Sequence, residues 1–287
     1  MRNRIQTYQL PVMLWLLILV SATGCEDDLT AVKLSDNAFT LYGIINPLED
    51  IQAVRVYQID EILTPIKPDP IDATVRSTDL DTGKSVEWQD SVVSFPDGKF
   101  GHVFWAPFKP EHGHRFRIEV ERPGAAVASA TTTVPPESVG EVLPYEVNGG
   151  LVTQPILWHD APNLINIRVR YYTNVGRFDY DYNIAQEDVS EGKKVVIQIY
   201  DDTLIIFRRA IFDGIQDVIL DRMDMRVVVT DEDWTPPGGV FDPHVFSVPG
   251  TFSNVDNGFG FLGSGYPAIL EWRPSNDLRK ELGFVEQ

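Results

Sequence analysis

Two stretches of the chain alternate so strictly between apolar and polar side chains that a helix cannot hold them. In residues 114–121, His114, Phe116, Ile118 and Val120 fall on one face, and Arg115, Arg117, Glu119 and Glu121 on the other. In residues 163–173, Ile165, Ile167, Val169 and Tyr171 oppose Asn166, Arg168, Arg170 and Tyr172. A period of two belongs to a strand with one face in a core and the other in water. Runs rich in β-branched and aromatic residues at 39–45, 51–59, 73–80, 91–95, 100–105 and 125–134 extend the pattern. Turn formers stand between them: Asn46-Pro47, Asp81-Thr82-Gly83 and Pro96-Asp97-Gly98. The last is a hairpin signal, because Asp-Gly tolerates positive φ. Pro65, Pro68 and Pro70 mark an exposed loop.

These spacings predict an all-β chain. Residues 38–135 read as an N-terminal immunoglobulin-like β-sandwich, from short strands with turns between them. Pro135-Pro136 sets the domain boundary, since neither proline can donate to a strand ladder. Residues 136–287 read as a second β-rich domain, with further strands at 194–200 and 225–230. One short C-terminal helix is expected at 276–282, with Leu278 and Leu282 facing inward and Gly283 as its stop. Residues 203–220 admit two structures. Leu204, Phe207, Ile211, Ile215 and Val218 fit a helical stripe, whereas Ile205-Ile206, Asp213-Gly214 and the β-branched content favour a hairpin. The hairpin is the expectation. Residues 253–265 interleave Gly258, Gly260, Gly263 and Gly265 with Val255, Phe259, Phe261 and Leu262. They are expected to form a turn-rich element pinned to the second domain, with its glycines at positive φ.

Ahead of the β region, Arg2 and Arg4 precede an apolar run from Leu10 to Val20, then Ser21-Ala22-Thr23-Gly24 and Cys25. A charged start, a short apolar core and a small-residue site form a secretory signal over residues 1–24. The run is too short for a membrane span of about 20 residues. Gly24-Cys25 resembles the lipobox of bacterial lipoproteins, in which the cysteine is lipidated and becomes the new N-terminus. Ala22 stands where that motif usually has Leu, Val or Ile, so an ordinary cleavage site is the alternative. Cys25 is the only cysteine, so it has no partner within the chain for a disulfide. Lipidation of Cys25, with palmitate among the acyl groups, is the expectation, and residues 25–37 then form an acidic tether opened by Glu26-Asp27-Asp28. The chain carries a net charge of −18. Such a surface repels phosphate backbones, which argues against nucleic acid as a partner.

The lipobox, the run 39–47 (Phe-Thr-Leu-Tyr-Gly-Ile-Ile-Asn-Pro), the strand at 130–135 running into proline, and 253–260 (Ser-Asn-Val-Asp-Asn-Gly-Phe-Gly) together resemble one family. It is a large family of Bacteroidetes-type surface lipoproteins defined only as a domain of unknown function. Phe116 stands where such domains commonly place a tyrosine. The resemblance implies a cell-surface β protein of the outer membrane, associated with nutrient uptake, and brings no catalytic residue with it.

Other motifs carry less. Gly258 to Gly263 match G-x-G-x-x-G, but Pro267 and two more glycines follow, so no helix opens to bind a dinucleotide. Asp79, Asp81 and Gly83 resemble the start of a calcium loop with the glycine one place early and the closing Glu missing. His102, His112 and His114 would need adjacent strands and a third ligand to hold a metal. His159-Asp160 and Ser253 lack the G-x-S-x-G elbow of a hydrolase. Trp88, Trp105, Trp158, Trp234 and Trp272 are expected in cores, with one or two near the loop at 236–239 free to stack on a sugar. No catalytic residue, cofactor or metal site is assigned. The sequence points to a lipid-anchored surface binding or accessory protein, with a membrane through its anchor and an outer-membrane transporter or a glycan as partners. An extracellular hydrolase, or a structural or adhesive module, is the alternative.

Overall fold

The computed structural model describes residues 39–59, 69–94, 100–234 and 253–285. The signal, Cys25 and its tether, most of the 65–70 proline loop, the Pro96-Asp97-Gly98 turn and the 236–239 loop lie outside them. The described residues belong to one compact unit, Asn37–Gln287, that is mostly β.

Eight strands form the longest sheet. They are β1 (Phe39–Ile45), β2 (Gln52–Gln58), β5 (Gln89–Ser94), β6 (Phe100–Ala106), β12 (Asn163–Thr173), β13 (Gly176–Tyr182), β16 (Leu220–Thr230) and β17 (Phe259–Trp272), in the order β13-β12-β16-β17-β1-β2-β6-β5. A four-stranded sheet runs β4-β3-β7-β8, from β3 (Thr74–Asp79), β4 (Ser85–Glu87), β7 (Arg115–Glu121) and β8 (Ala128–Thr133). A third sheet runs β10-β11-β15-β14, with β9 also on β11. Its strands are β9 (Gly140–Val142), β10 (Glu146–Asn148), β11 (Leu151–His159), β14 (Glu187–Val189) and β15 (Gly192–Ile197).

Two cores result. The first joins Leu41, Val54 and Phe104 of the long sheet to Val75, Ile118 and Val120 of the four-stranded sheet, so residues 39–134 form a β-sandwich. The second joins Ile156, Trp158 and Val195 of the third sheet to Val169, Tyr171 and Met225 of the long one. Pro135-Pro136 lies between the two cores along the chain, but the long sheet runs through both halves. β17 pairs parallel with β1 through residues 259–264, then antiparallel with β16 through residues 265–272. Residues 253–265 therefore mostly build a strand, and Val255 and Leu262 enter the first core rather than the second. Of their four glycines only Gly260 takes the expected positive φ, as Asn257 also does; Gly258 and Gly265 lie close to neighbouring backbone and Gly263 close to side chains instead.

Residues 203–220 are not a hairpin. Ile199–Phe212 form helix α1, the second helix of the described residues beside the expected C-terminal one, α2 (Asn276–Glu281). Asp201 and Asp202 in the first turn and Arg209 in the last oppose the helix dipole. The buried positions, Ile199, Asp202, Thr203, Ile206 and Ala210, recur every three or four residues. The apolar stripe read from sequence is out of phase with them, because Leu204 and Ile211 face solvent. Helix α2 follows expectation: Ser275 caps it by accepting from the Leu278 N–H at 3.2 Å, Leu278 and Leu282 are buried, and Gly283 takes φ 86°.

In β12 one residue more than in β16 stands between the pairs Ile165–Val228 and Arg168–Arg226, a β-bulge with Asn166 at φ 53°. Strict alternation placed Ile165 in the core. The bulge resets the phase, so Leu164 and Ile167 are buried and Ile165 only half so.

Candidate functional site

The bulge matters for what lies on the outer face of the sheet. Beyond it, Arg168 and Arg170 of β12 stand directly opposite Asp181 and Asp179 of β13. Both pairs are bidentate. Arg168 donates to the Asp181 oxygens at 2.6 and 3.1 Å, and Arg170 to those of Asp179 at 2.5 and 3.0 Å. These bonds raise both guanidinium pKa values and lower both carboxyls. On β16, Arg226 donates to the fully buried Asp224 at 3.0 Å, and Tyr172 bonds the same carboxylate at 2.8 Å. The Arg222 guanidinium lies 4.1 Å from the centre of the Tyr172 ring. Three strands thus carry a mesh of guanidinium and carboxylate groups that neutralise each other in place.

An open groove of about 760 Å³ sits at the bulge end of this mesh. Asn166, Arg168, Asp181, Asn183 and Arg226 give it polar walls, and Val228 and Pro267 give it an apolar floor. The bulge turns Asn166 into this space, and asparagine tolerates the left-handed backbone it needs. Fixed donors and acceptors beside apolar carbon suit the recognition of a polar, uncharged ligand.

Two buried carboxylates tie neighbouring elements together. Asp202 of α1 accepts from Tyr171 at 2.6 Å and from Tyr182, while Tyr180 donates to the Asp202 carbonyl at 3.3 Å. Burial pushes the Asp202 carboxyl above its usual range, against the lowering by the two hydroxyls. Burial also pushes Tyr180 up to about 12. Asp231, just past β16, accepts from Thr132 at 2.6 Å and from the Ser264 N–H at 2.8 Å. Its pKa is raised too, by burial against those bonds, and its Oδ1 has no hydrogen-bond partner among the described residues.

The residues singled out from sequence are dispersed. His102 is buried on β6 against Asp90, whereas His114 adjoins β7 in another sheet, so they do not share adjacent strands. His112 bonds the Pro135 carbonyl at 2.7 Å. His114 bonds Asp79 at 2.9 Å. Asp79 also accepts the N–H groups of Asp81 and Thr82, and Asp81 that of Arg115, so these carboxylates close a turn. Among the described residues no three His, Cys, Asp or Glu side chains are grouped to hold a metal. His159 meets Glu141 at 2.8 Å, while Ser253 bonds its own turn at the Val255 N–H. Gly258 to Gly263 lead into and along β17, which continues to Trp272 with no helix after them. None of the five tryptophans is exposed, and Trp234 packs edge-on to Phe261 at 5.3 Å instead of standing free. Sequence reasoning missed the groove, because β13 had not been recognised as the partner that puts Asp179 and Asp181 opposite the arginines. The alternation of Arg168 and Arg170 against Asp179 and Asp181 was the available signal.

No protein-family model matches the chain, and no curated protein matches it. Among solved structures, a pullulanase from Anoxybacillus sp. LM18-11 aligns at 10% identity with a TM-score of 0.24, covering 67% of this chain and 24% of that one. Bovine butyrophilin aligns at 11% identity with a TM-score of 0.20, covering 66% and 91%. The chain therefore spans about a quarter of the pullulanase. Overlaps this loose define no common site.

Proposed function

We propose that the protein is a lipid-anchored binding or accessory protein of the bacterial outer-membrane surface, tethered through Cys25, and that its ligand lies in the groove at the β12 bulge. The single observation that carries the ligand site is the mesh itself. Each charge there is matched by a neighbour, so the groove offers directional hydrogen bonds without a net field, which suits a hydroxyl-rich chain such as a glycan. The strand orders β1-β2-β6-β5 and β4-β3-β7-β8 support an immunoglobulin-like sandwich as the membrane-proximal part, a common way to present a binding face. The order of residues 1–28 and the lone cysteine support the anchor.

Cys25→Ser should remove acylation and release the protein from the membrane fraction. A variant that still sediments after a high-salt wash disproves the anchor. For the groove, surface glycans of the native host are titrated against wild type and Arg168→Ala. Binding weakened about tenfold, the scale of one lost charge-assisted contact, supports the site. Unchanged affinity moves the ligand elsewhere, and release of shorter sugars identifies a hydrolase instead.

A further inference from the structure

Among the described residues, helix α1 leaves unpaired the face that does not enter the core. Leu204 is 48% exposed, Ile205 50%, Ile211 78% and Phe212 83%, a concentration of large apolar surface on one helix of an acidic chain. At about 100° per residue, Asp201 and Arg208 fall among these four side chains, two turns apart. Both are exposed, and neither has an ion-pair partner among the described residues. Arg209, by contrast, is already bonded to Asp213 at 2.7 Å and lies over the Phe212 ring.

We propose that this face is a self-association surface, occupied by α1 of a second copy of this chain lying antiparallel across a two-fold axis between Leu204 and Ile205. In that register Asp201 of each copy meets Arg208 of the other, and Leu204 and Ile205 pack against their counterparts. A surface carrying its own complement is what an isologous interface requires. The same Asp201 argues against a lipid surface, because inserting the apolar side chains would bury an uncompensated carboxylate among them. One short helix face buries less than the roughly 800 Å² per partner of a standard stable interface, so the dimer is weak and concentration-dependent.

The test is sedimentation equilibrium of the exported chain carrying Cys25→Ser, so that no acyl group contributes. Wild-type sequence should show reversible dimerisation in the range of about 10 µM to 1 mM. Asp201→Arg or Arg208→Asp alone should weaken it about tenfold, and the double swap should restore it, since the charges then meet in reverse order. All three variants should stay folded. Arg208→Asp, outside the terminal turns, should keep the wild-type melting temperature, and the two carrying Asp201→Arg should melt only slightly lower, since they lose a charge favourable to the helix dipole. A monomer at every concentration, a dimer indifferent to the single swaps, or a double swap no better than the singles overturns the proposal. So does flotation of the monomer with vesicles of neutral phospholipid, which would give the face to a membrane.

Discussion

Thr132 and Asp231 stand 99 positions apart in the chain and are joined by a hydrogen bond of 2.6 Å inside the protein. Asp231 also holds the Ser264 N–H, and the Ser264 hydroxyl in turn donates to the Thr133 carbonyl at 2.5 Å. One carboxylate thus fastens β8 of the first sandwich to the strand that crosses into the second half. Asp231→Ala would leave a buried N–H and a buried hydroxyl without this acceptor, a cost of about 1–3 kcal/mol for each group left unpaired. The expected result is a single, lowered melting transition in calorimetry. Two separated transitions would show that the halves melt independently of this link.

Gly260 is the least replaceable glycine of β17. Its φ is 121°, and a Cβ placed there would lie 1.9 Å from the Leu41 carbonyl oxygen. At Gly263 the nearest atoms, at 2.7 to 2.9 Å, belong to the side chains of Phe261 and Trp234 rather than to backbone, and φ is not positive. Gly260→Ala should therefore cost more than Gly263→Ala, by several kcal/mol. Chemical denaturation of the two variants side by side checks the order.

The Asp79–His114 pair should make stability depend on pH at both ends. Burial would raise Asp79, but the bonds from His114, Thr82 and the backbone at Asp81 and Thr82 outweigh it and hold its carboxyl at about 2. Its contribution is present above the unfolded value of about 3.9 and is lost as pH falls toward 2. His114 is raised, first by its bond to Asp79, so its contribution is full below about 6.5 and disappears as pH rises through the folded value. Buried Asp202 and Asp231, both raised, lose their contribution as pH rises above the ordinary carboxyl range. Melting temperature against pH should thus fall below pH 4 in wild type and less steeply in Asp79→Asn. Between pH 6 and 8, His114→Gln should remove part of the decline; an unaltered profile would deny the pair any such role.

Residues 29–135 expressed alone keep both sheets of the first sandwich but lack Val255, Leu262 and the strand that covers β1. The fragment is expected to unfold cooperatively, with a β-type circular dichroism spectrum, at a lower temperature than the whole chain. The bared β1 edge should also make it associate, since an open edge templates pairing. Light scattering across a concentration series measures this. A fragment that is unfolded outright would show that β17 is required for the first core to form.

Where local chemistry decided the structure, the sequence was a good guide. Phe39–Ile45 and Asn163–Thr173 are strands as read, the second apart from the phase at Ile165, because alternation and β-branching act within one strand. Gly283 and Ser275 bound α2 through their own backbone and hydroxyl chemistry. What escaped depends on distant partners. Helix α1 buries Asp202 because Tyr171 and Tyr182 supply its hydrogen bonds, and this turns Leu204 and Ile211 outward against their hydrophobicity. The bulge at Asn166 is hidden for a similar reason: Ile167, Val169 and Tyr171 keep the face that alternation gives them, but ahead of the inserted residue the phase shifts and Leu164 is buried in place of Ile165. The groove inherits both difficulties: its lining comes from four strands, of which only β12 and β13 are joined by a tight turn, while β16 and β17 come from farther along the chain.

Because β1 opens the described fold and β17 almost closes it, the sheet can be completed only when nearly all of the chain is available. Residues 40–45 cannot acquire their parallel neighbour until residues 259–264 have been synthesised. Parallel pairing between the ends of a chain is slow to nucleate, since a long loop must close before any contact rewards it. During that interval the first sandwich exposes one unpaired edge to every other chain emerging nearby. Conditions that hold neighbouring chains apart while they fold suit such an order of assembly. Production at high concentration in a cell interior should yield mispaired aggregates before it yields less stable protein.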